Sequence, residues 1–132
     1  QKVGKGYYRY EAGSRVGLPD REALGIISAE RAAKGIAPRR ISTPEIQRTC
    51  LIAMMNEGAR RLDEGVAERP GDIDVVMLLG FGFPKEKGGP MKAAELSGLL
   101  SQLRDLESWS REDAFWEPAD ALREAVKNGN RF

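Results

Sequence analysis

The stretch that decides the fold is Ser42–Gly65, STPEIQRTCLIAMMNEGARRLDEG. Ser42 stands three residues before Glu45, so its hydroxyl can accept from the Glu45 amide while the Glu45 carboxylate reaches back. This is a capping box, and Pro44 is tolerated in the first turn. The spacing predicts a helix running to about Glu64 and ended by Gly65. Leu51, Met55, Ala59, Leu62 and Val66 form one apolar stripe. Ile46, Cys50, Ala53 and Met54 form a second stripe on the other side. A helix with two apolar stripes is contacted on two sides and belongs at the centre of a bundle. Cys50, on the second stripe, reads as a small buried hydrophobe rather than a nucleophile.

Working outward, Pro19-Asp20 closes a loop over residues 13–19, and Asp20 caps a helix with a partial apolar face of Leu24 and Ile27, stopped near Gly35. Residues 1–12 read as a tight turn and a short extended piece. Beyond Gly65, residues 70–80 are ambiguous. Val75–Leu79 suits a buried strand, whereas Pro70 with Asp72 and Asp74 suits a helix start. A glycine-rich loop follows over 80–90. Pro90 then opens a helix to about Glu95, and Gly98 breaks it. Leu99, Leu100, Leu103 and Leu106 carry the next one, with Ser110 and Asp113 as possible caps. Pro118 opens a last helix that ends at Asn128-Gly129. The expectation is an all-α protein, a small bundle of five to six helices.

Lys plus Arg number 21 against 20 Asp plus Glu, a net charge of +1. That balance gives no reason to expect nucleic acid or an anionic membrane as partner. No apolar run is long enough to span a membrane. One cysteine allows no internal disulfide and fits, weakly, a reducing cytoplasm. There are 0 histidines, which excludes a histidine base, acid or metal ligand within this chain. The beginning at Gln1 reads as the middle of a longer chain.

The polar candidates each have a structural reading beside a functional one. Asn56 on a central helix is expected to tie a loop backbone. Glu57 is expected to pair with Arg61 one turn on, rather than to act as a buried catalytic carboxylate. Gly4-Lys5-Gly6 and Gly80-Phe81-Gly82 do not complete G-x-G-x-x-G, since positions 9 and 85 are Arg and Lys. Lys85 and Lys87 precede a helix start, where a phosphate such as that of coenzyme A could sit. Pro90 removes an amide there, and a close-packed turn competes with anion binding. Trp109 and Trp116 suit core packing or an interface.

Several of these motifs, taken in order, resemble the 3-hydroxyacyl-CoA dehydrogenases of multifunctional fatty-acid oxidation enzymes. Gly4-Lys5-Gly6-Tyr7-Tyr8-Arg9-Tyr10 is similar to the close of the first C-terminal helical repeat. Arg40-Ile41-Ser42, Glu45-Ile46 and Arg48 resemble the start of the second. Asn56-Glu57-Gly58-Ala59-Arg60, Glu64-Gly65 and Arg69-Pro70-Gly71-Asp72-Ile73-Asp74 look like its core. Gly80-Phe81-Gly82-Phe83-Pro84, Gly88-Gly89-Pro90 and the ending Gly129-Asn130-Arg131-Phe132 follow.

The resemblance implies a 6-phosphogluconate-dehydrogenase C-terminal-like fold. Residues 1–40 would be the tail of the first repeat with a bridge, and residues 41–132 the second repeat. It implies upstream partners: a Rossmann domain binding NAD, the first repeat, and an enoyl-CoA hydratase domain. The substrate would be an acyl-CoA. The catalytic His–Glu pair would also lie upstream, so this chain would hold no catalytic, cofactor or metal site. Tyr7, Tyr8, Asn56, Glu57, Arg61, Phe81, Gly82, Phe83, Pro84, Gly88, Gly89 and Pro90 would serve structure and interface, and the isolated chain would be inactive and dimerise. Two alternatives stand beside it: an independent all-α acyl-CoA or phosphate-binding module using residues 80–91, and an α/β domain with Val75–Leu79 as a strand.

Overall fold

A computed structural model describes residues 6–129, 131 and 132. Gly4 and Lys5 of the tyrosine motif, and Asn130 of the ending, lie outside the described residues. The chain divides into two compact units, Gln1–Arg40 and Ile41–Phe132.

In the first unit, β1 (Tyr8–Arg9) pairs antiparallel with β2 (Leu18–Pro19), in register Tyr8 with Pro19 and Arg9 with Leu18. The sequence reading had a loop where β2 stands. Two residues per strand are too few to show a period of two. Asp20 then caps α1 (Arg21–Ala33), its carboxylate accepting from the amides of Glu22 at 2.8 Å and Ala23 at 3.3 Å. Gly35 follows at φ 64°, a left-handed conformation that costs glycine little. Leu24, expected on a covered face, is half exposed, and α1 has no buried residue.

The second unit holds α2 (Thr43–Asp63), α3 (Pro70–Gly80), α4 (Pro90–Ser97), α5 (Leu99–Trp109) and α6 (Asp120–Lys127), with short 3₁₀ turns at Lys85–Lys87 and Ala114–Trp116. The all-α expectation holds: the described residues form six α-helices and one minor ladder. The ambiguous residues 70–80 are helical, so Val75–Leu79 is no strand. Pro70 opens α3, and Asp72 bonds back to the Arg69 amide at 3.1 Å, which fixes the first turn.

Helix α2 packs against α3, α4 and α6, and α5 joins α4 and α6. Ser42 caps it through the Glu45 amide at 3.3 Å, and Gly65 follows its end at φ 68°. The core is built from Ile52, Met55 and Ala59 of α2 with Met91, Ala94, Leu99, Leu103, Leu106, Leu122 and Ala125. The two expected stripes are therefore corrected. One face at Ile52, Met55, Asn56 and Ala59 is buried, Leu62 packs against the core's edge, and Ile46, Cys50 and Val66 are exposed. The reason is position along the axis: residues 43–51 include no buried side chain, and the covered face begins at Ile52. On α5, Leu99, Gln102, Leu103 and Leu106 face inward at i, i+3, i+4 and i+7, and Leu100 is outside.

Candidate functional site

The polar side chains of α2 act on backbone, not on open space. Asn56, 3% exposed, donates from Nδ2 to the Glu117 carbonyl at 2.9 Å and accepts at Oδ1 from the Ala119 amide at 2.9 Å. One turn on, Arg60 Nη2 donates to the carbonyls of Phe115 and Glu117, both at 2.9 Å. A further turn on, Asp63 accepts from the Ala121 amide at 2.8 Å. The spacing 56, 60, 63 is a single helical face, which lays three side chains along one strip of chain. Residues 115–121 are thus bound by their main-chain groups. Arg60 and Asp63 were not singled out from the sequence, although their i+4 and i+7 spacing from Asn56 is legible there.

The neighbouring face carries Glu57, which ion-pairs with Arg61 and, at 3.6 Å, with Arg60. Arg61 also reaches Glu64 at 2.7 Å. Glu57 is exposed, so the low-dielectric surroundings that raise a catalytic carboxylate are missing, and such surface pairs add little stability.

The turn at Gly88-Gly89-Pro90 is governed by Asp74, which sequence reasoning saw only as a first-turn acid. Asp74 is buried, and its carboxylate accepts from the amides of Met91 at 2.8 Å and Lys92 at 3.1 Å. Gly89, the N-cap of α4, has no side chain to offer. Asp74 supplies the missing acceptor from α3, as Asp63 does for α6, whose N-cap is Ala119. Burial pushes the Asp74 carboxyl above the ordinary carboxylate range, with the two amides pulling the other way. Gly89 stands at φ 106°, and a Cβ there would strike the Asp74 carboxyl group. The amides that could have held a coenzyme A phosphate at this helix start are therefore already occupied. Gly88 follows the 3₁₀ turn at φ 75°, and Pro90 is buried.

Gly80 ends α3, Phe81 follows it 75% exposed, and Gly82 turns the chain at φ 71°. Phe83 is half-buried and Pro84 exposed, and together they wall a cleft beside α2. Tyr7 and Tyr8 are exposed, and Tyr7 borders an apolar groove of about 320 Å³ with Ile26, Ile27 and Ile36. Trp109 and Trp116 meet edge to face with centroids 4.9 Å apart at the margin of the core. Among the described residues no cluster of three His, Cys, Asp or Glu could hold a metal ion, and no helix is long and apolar enough to cross a membrane.

Residues 46–131, most of the helical unit just described, match the family model of the 3-hydroxyacyl-CoA dehydrogenase C-terminal domain, and the chain belongs to that family. Among curated relatives, the peroxisomal bifunctional enzyme of Homo sapiens is 40% identical over 98% of this chain. The peroxisomal fatty acid beta-oxidation multifunctional protein AIM1 of Arabidopsis thaliana is 34% identical over 96%. The fatty acid oxidation complex subunit alpha of Shewanella loihica is 31% identical over 100%. In each case the chain spans 18% of the relative's length.

Proposed function

We propose that this chain is the C-terminal structural and interface portion of a multifunctional fatty-acid oxidation enzyme, with residues 41–132 as the second helical repeat of its dehydrogenase and residues 1–40 as the tail of the first and a bridge. The parent would oxidise the hydroxyl of a 3-hydroxyacyl-CoA with NAD. Its Rossmann domain, first repeat and hydratase would lie upstream.

The observation that carries the non-catalytic part of this reading is the use made of the polar groups. Asn56, Arg60, Asp63 and Asp74 are each spent on main-chain atoms of this same unit. None is left facing a cleft with an acid or base partner at hand, as chemistry would require. The residues present also do not fit NAD. Gly80-Phe81-Gly82 stands at the C-terminal end of α3, where carbonyls project and the helix dipole is negative. A pyrophosphate is held at the opposite end of a helix.

The interface part rests on α3. Val75, Val76 and Leu79 lie along its outer side, Leu79 being 79% exposed, and Phe81 extends the patch. Contiguous apolar surface of this kind marks a docking face. Its occupant in the parent is the upstream portion with the first repeat. In the isolated chain a second copy takes that place. Peroxisomal relatives and the bacterial one place the parent in different compartments. For a bacterial-type parent we assign the cytoplasm, where the exposed thiol of Cys50 stays reduced.

The test is a calorimetric titration of this chain against the separately produced upstream dehydrogenase portion. Tight association with a negative heat-capacity change is expected for an apolar interface. Absence of binding would sink the reading.

A further inference from the structure

We propose that the cleft beside the first half of α2 binds the pantetheine arm of an acyl-CoA. The choice of acyl-CoA rests on the function proposed above; the cleft itself does not. It encloses about 480 Å³, within the roughly 300–1,000 Å³ range of small-molecule sites. Three features point to the ligand.

The floor includes Gln102, which is 1% exposed. Its Nε2 donates to the Ala94 carbonyl at 2.7 Å, which fixes the amide's orientation, and its Oε1 has no partner among the described residues. A buried amide oxygen left without a donor is costly and asks for one. Pantetheine carries two amide N–H groups, whereas a hydrocarbon chain or a carboxylate carries none. The walls are apolar, from Leu51 and Met54 of α2 and Phe83 and Pro84 opposite. They suit the arm's gem-dimethyl group and the acyl tail. The charged residues on the lining are Arg48 and Lys87, with no Asp or Glu. Arg48 is bound to Asp105 at 2.6 Å, so Lys87 supplies the field that favours the phosphate end.

Cys50 lines this cleft, is exposed, and is the single cysteine of the 132-residue chain. Its alkylation by iodoacetamide, followed by mass spectrometry on the whole chain, therefore reports occupancy. The probes are S-hexyl-coenzyme A and S-hexylpantetheine, thioethers that a thiol cannot cleave, against hexanoate and adenosine 3′,5′-bisphosphate. The two thioethers should slow alkylation saturably, about tenfold at ten times the dissociation constant by mass action, and the two partial probes should not. Lys87→Glu, at an exposed turn, should weaken S-hexyl-coenzyme A severalfold and leave S-hexylpantetheine unchanged. Gln102→Met should weaken both, with circular dichroism verifying the fold. The proposal is overturned if neither thioether protects, if hexanoate protects equally, or if the bisphosphate alone protects. Each of these results is independent of the titration against the upstream portion, so one idea can fail without the other.

Discussion

Gly89 shows how much one missing methyl group decides. Replacing it with Ala strains a backbone at φ 106° and drives a Cβ into the Asp74 carboxyl. A loss of about 3 kcal/mol or more is expected, read by urea unfolding. Asn56→Ala removes one donor and one acceptor from the 117–119 backbone. It should cost about 2–3 kcal/mol because buried main-chain groups lose their partners. A loss under about 0.5 kcal/mol would mean water substitutes freely.

Asp74 makes a pH prediction whose sign can be worked out. Burial holds its folded pKa above the unfolded one. The native state then binds more protons in that window, so this contribution is full below the unfolded value and is lost as pH rises through the folded value. Relative to Asp74→Asn, which does not titrate, the wild type should lose ground as pH rises from about 4, the ordinary carboxylate value. Urea midpoints at a series of pH values measure it. A gap that widens in favour of wild type would mean the two amides outweigh burial.

At the scale of elements, the sequence was most informative where a structure is written in adjacent residues. Ser42 with Glu45, Asp20, Gly35 and Gly65 mark their helix ends by local chemistry, and they were legible. Asn56 was legible as a tie to a loop, because a lone amide inside an apolar helical segment needs main-chain partners. Cys50 and Ile46 were misread because a helical wheel shows which residues share a side but not how far along the axis the neighbours reach. Asp74 and Gln102 were missed because the partner amides and carbonyl belong to other helices, 17 and 8 residues away. Val75–Leu79 was undecidable from its composition: five apolar residues suit a strand and a docked helix equally. What distinguishes them here is Pro70 and the Arg69–Asp72 closure of the first turn.

For the whole molecule, the expectation concerns the outer side of α3. Leu79→Lys touches little in the unit itself, so its melting temperature should move by no more than a degree or two, the usual effect of an exposed change of a few tenths of a kcal/mol. The same change should weaken association with the upstream portion by about tenfold or more, since it places a charge at the centre of an apolar contact. Sedimentation of the isolated chain should show a dimer that the Leu79→Lys variant lacks. Equal binding by both proteins would place the interface elsewhere.

The three side chains that α2 lays against residues 115–121 also bear on what a protease can accomplish. Arg111 is exposed in the turn after α5, a natural point for trypsin. A cut there severs the covalent path but not the grip of Asn56, Arg60 and Asp63, nor the burial of Leu122 and Ala125. The nicked protein should migrate as two bands under denaturing conditions and elute as one species under native ones, a complemented pair of fragments rather than a bundle that has shed its last helix.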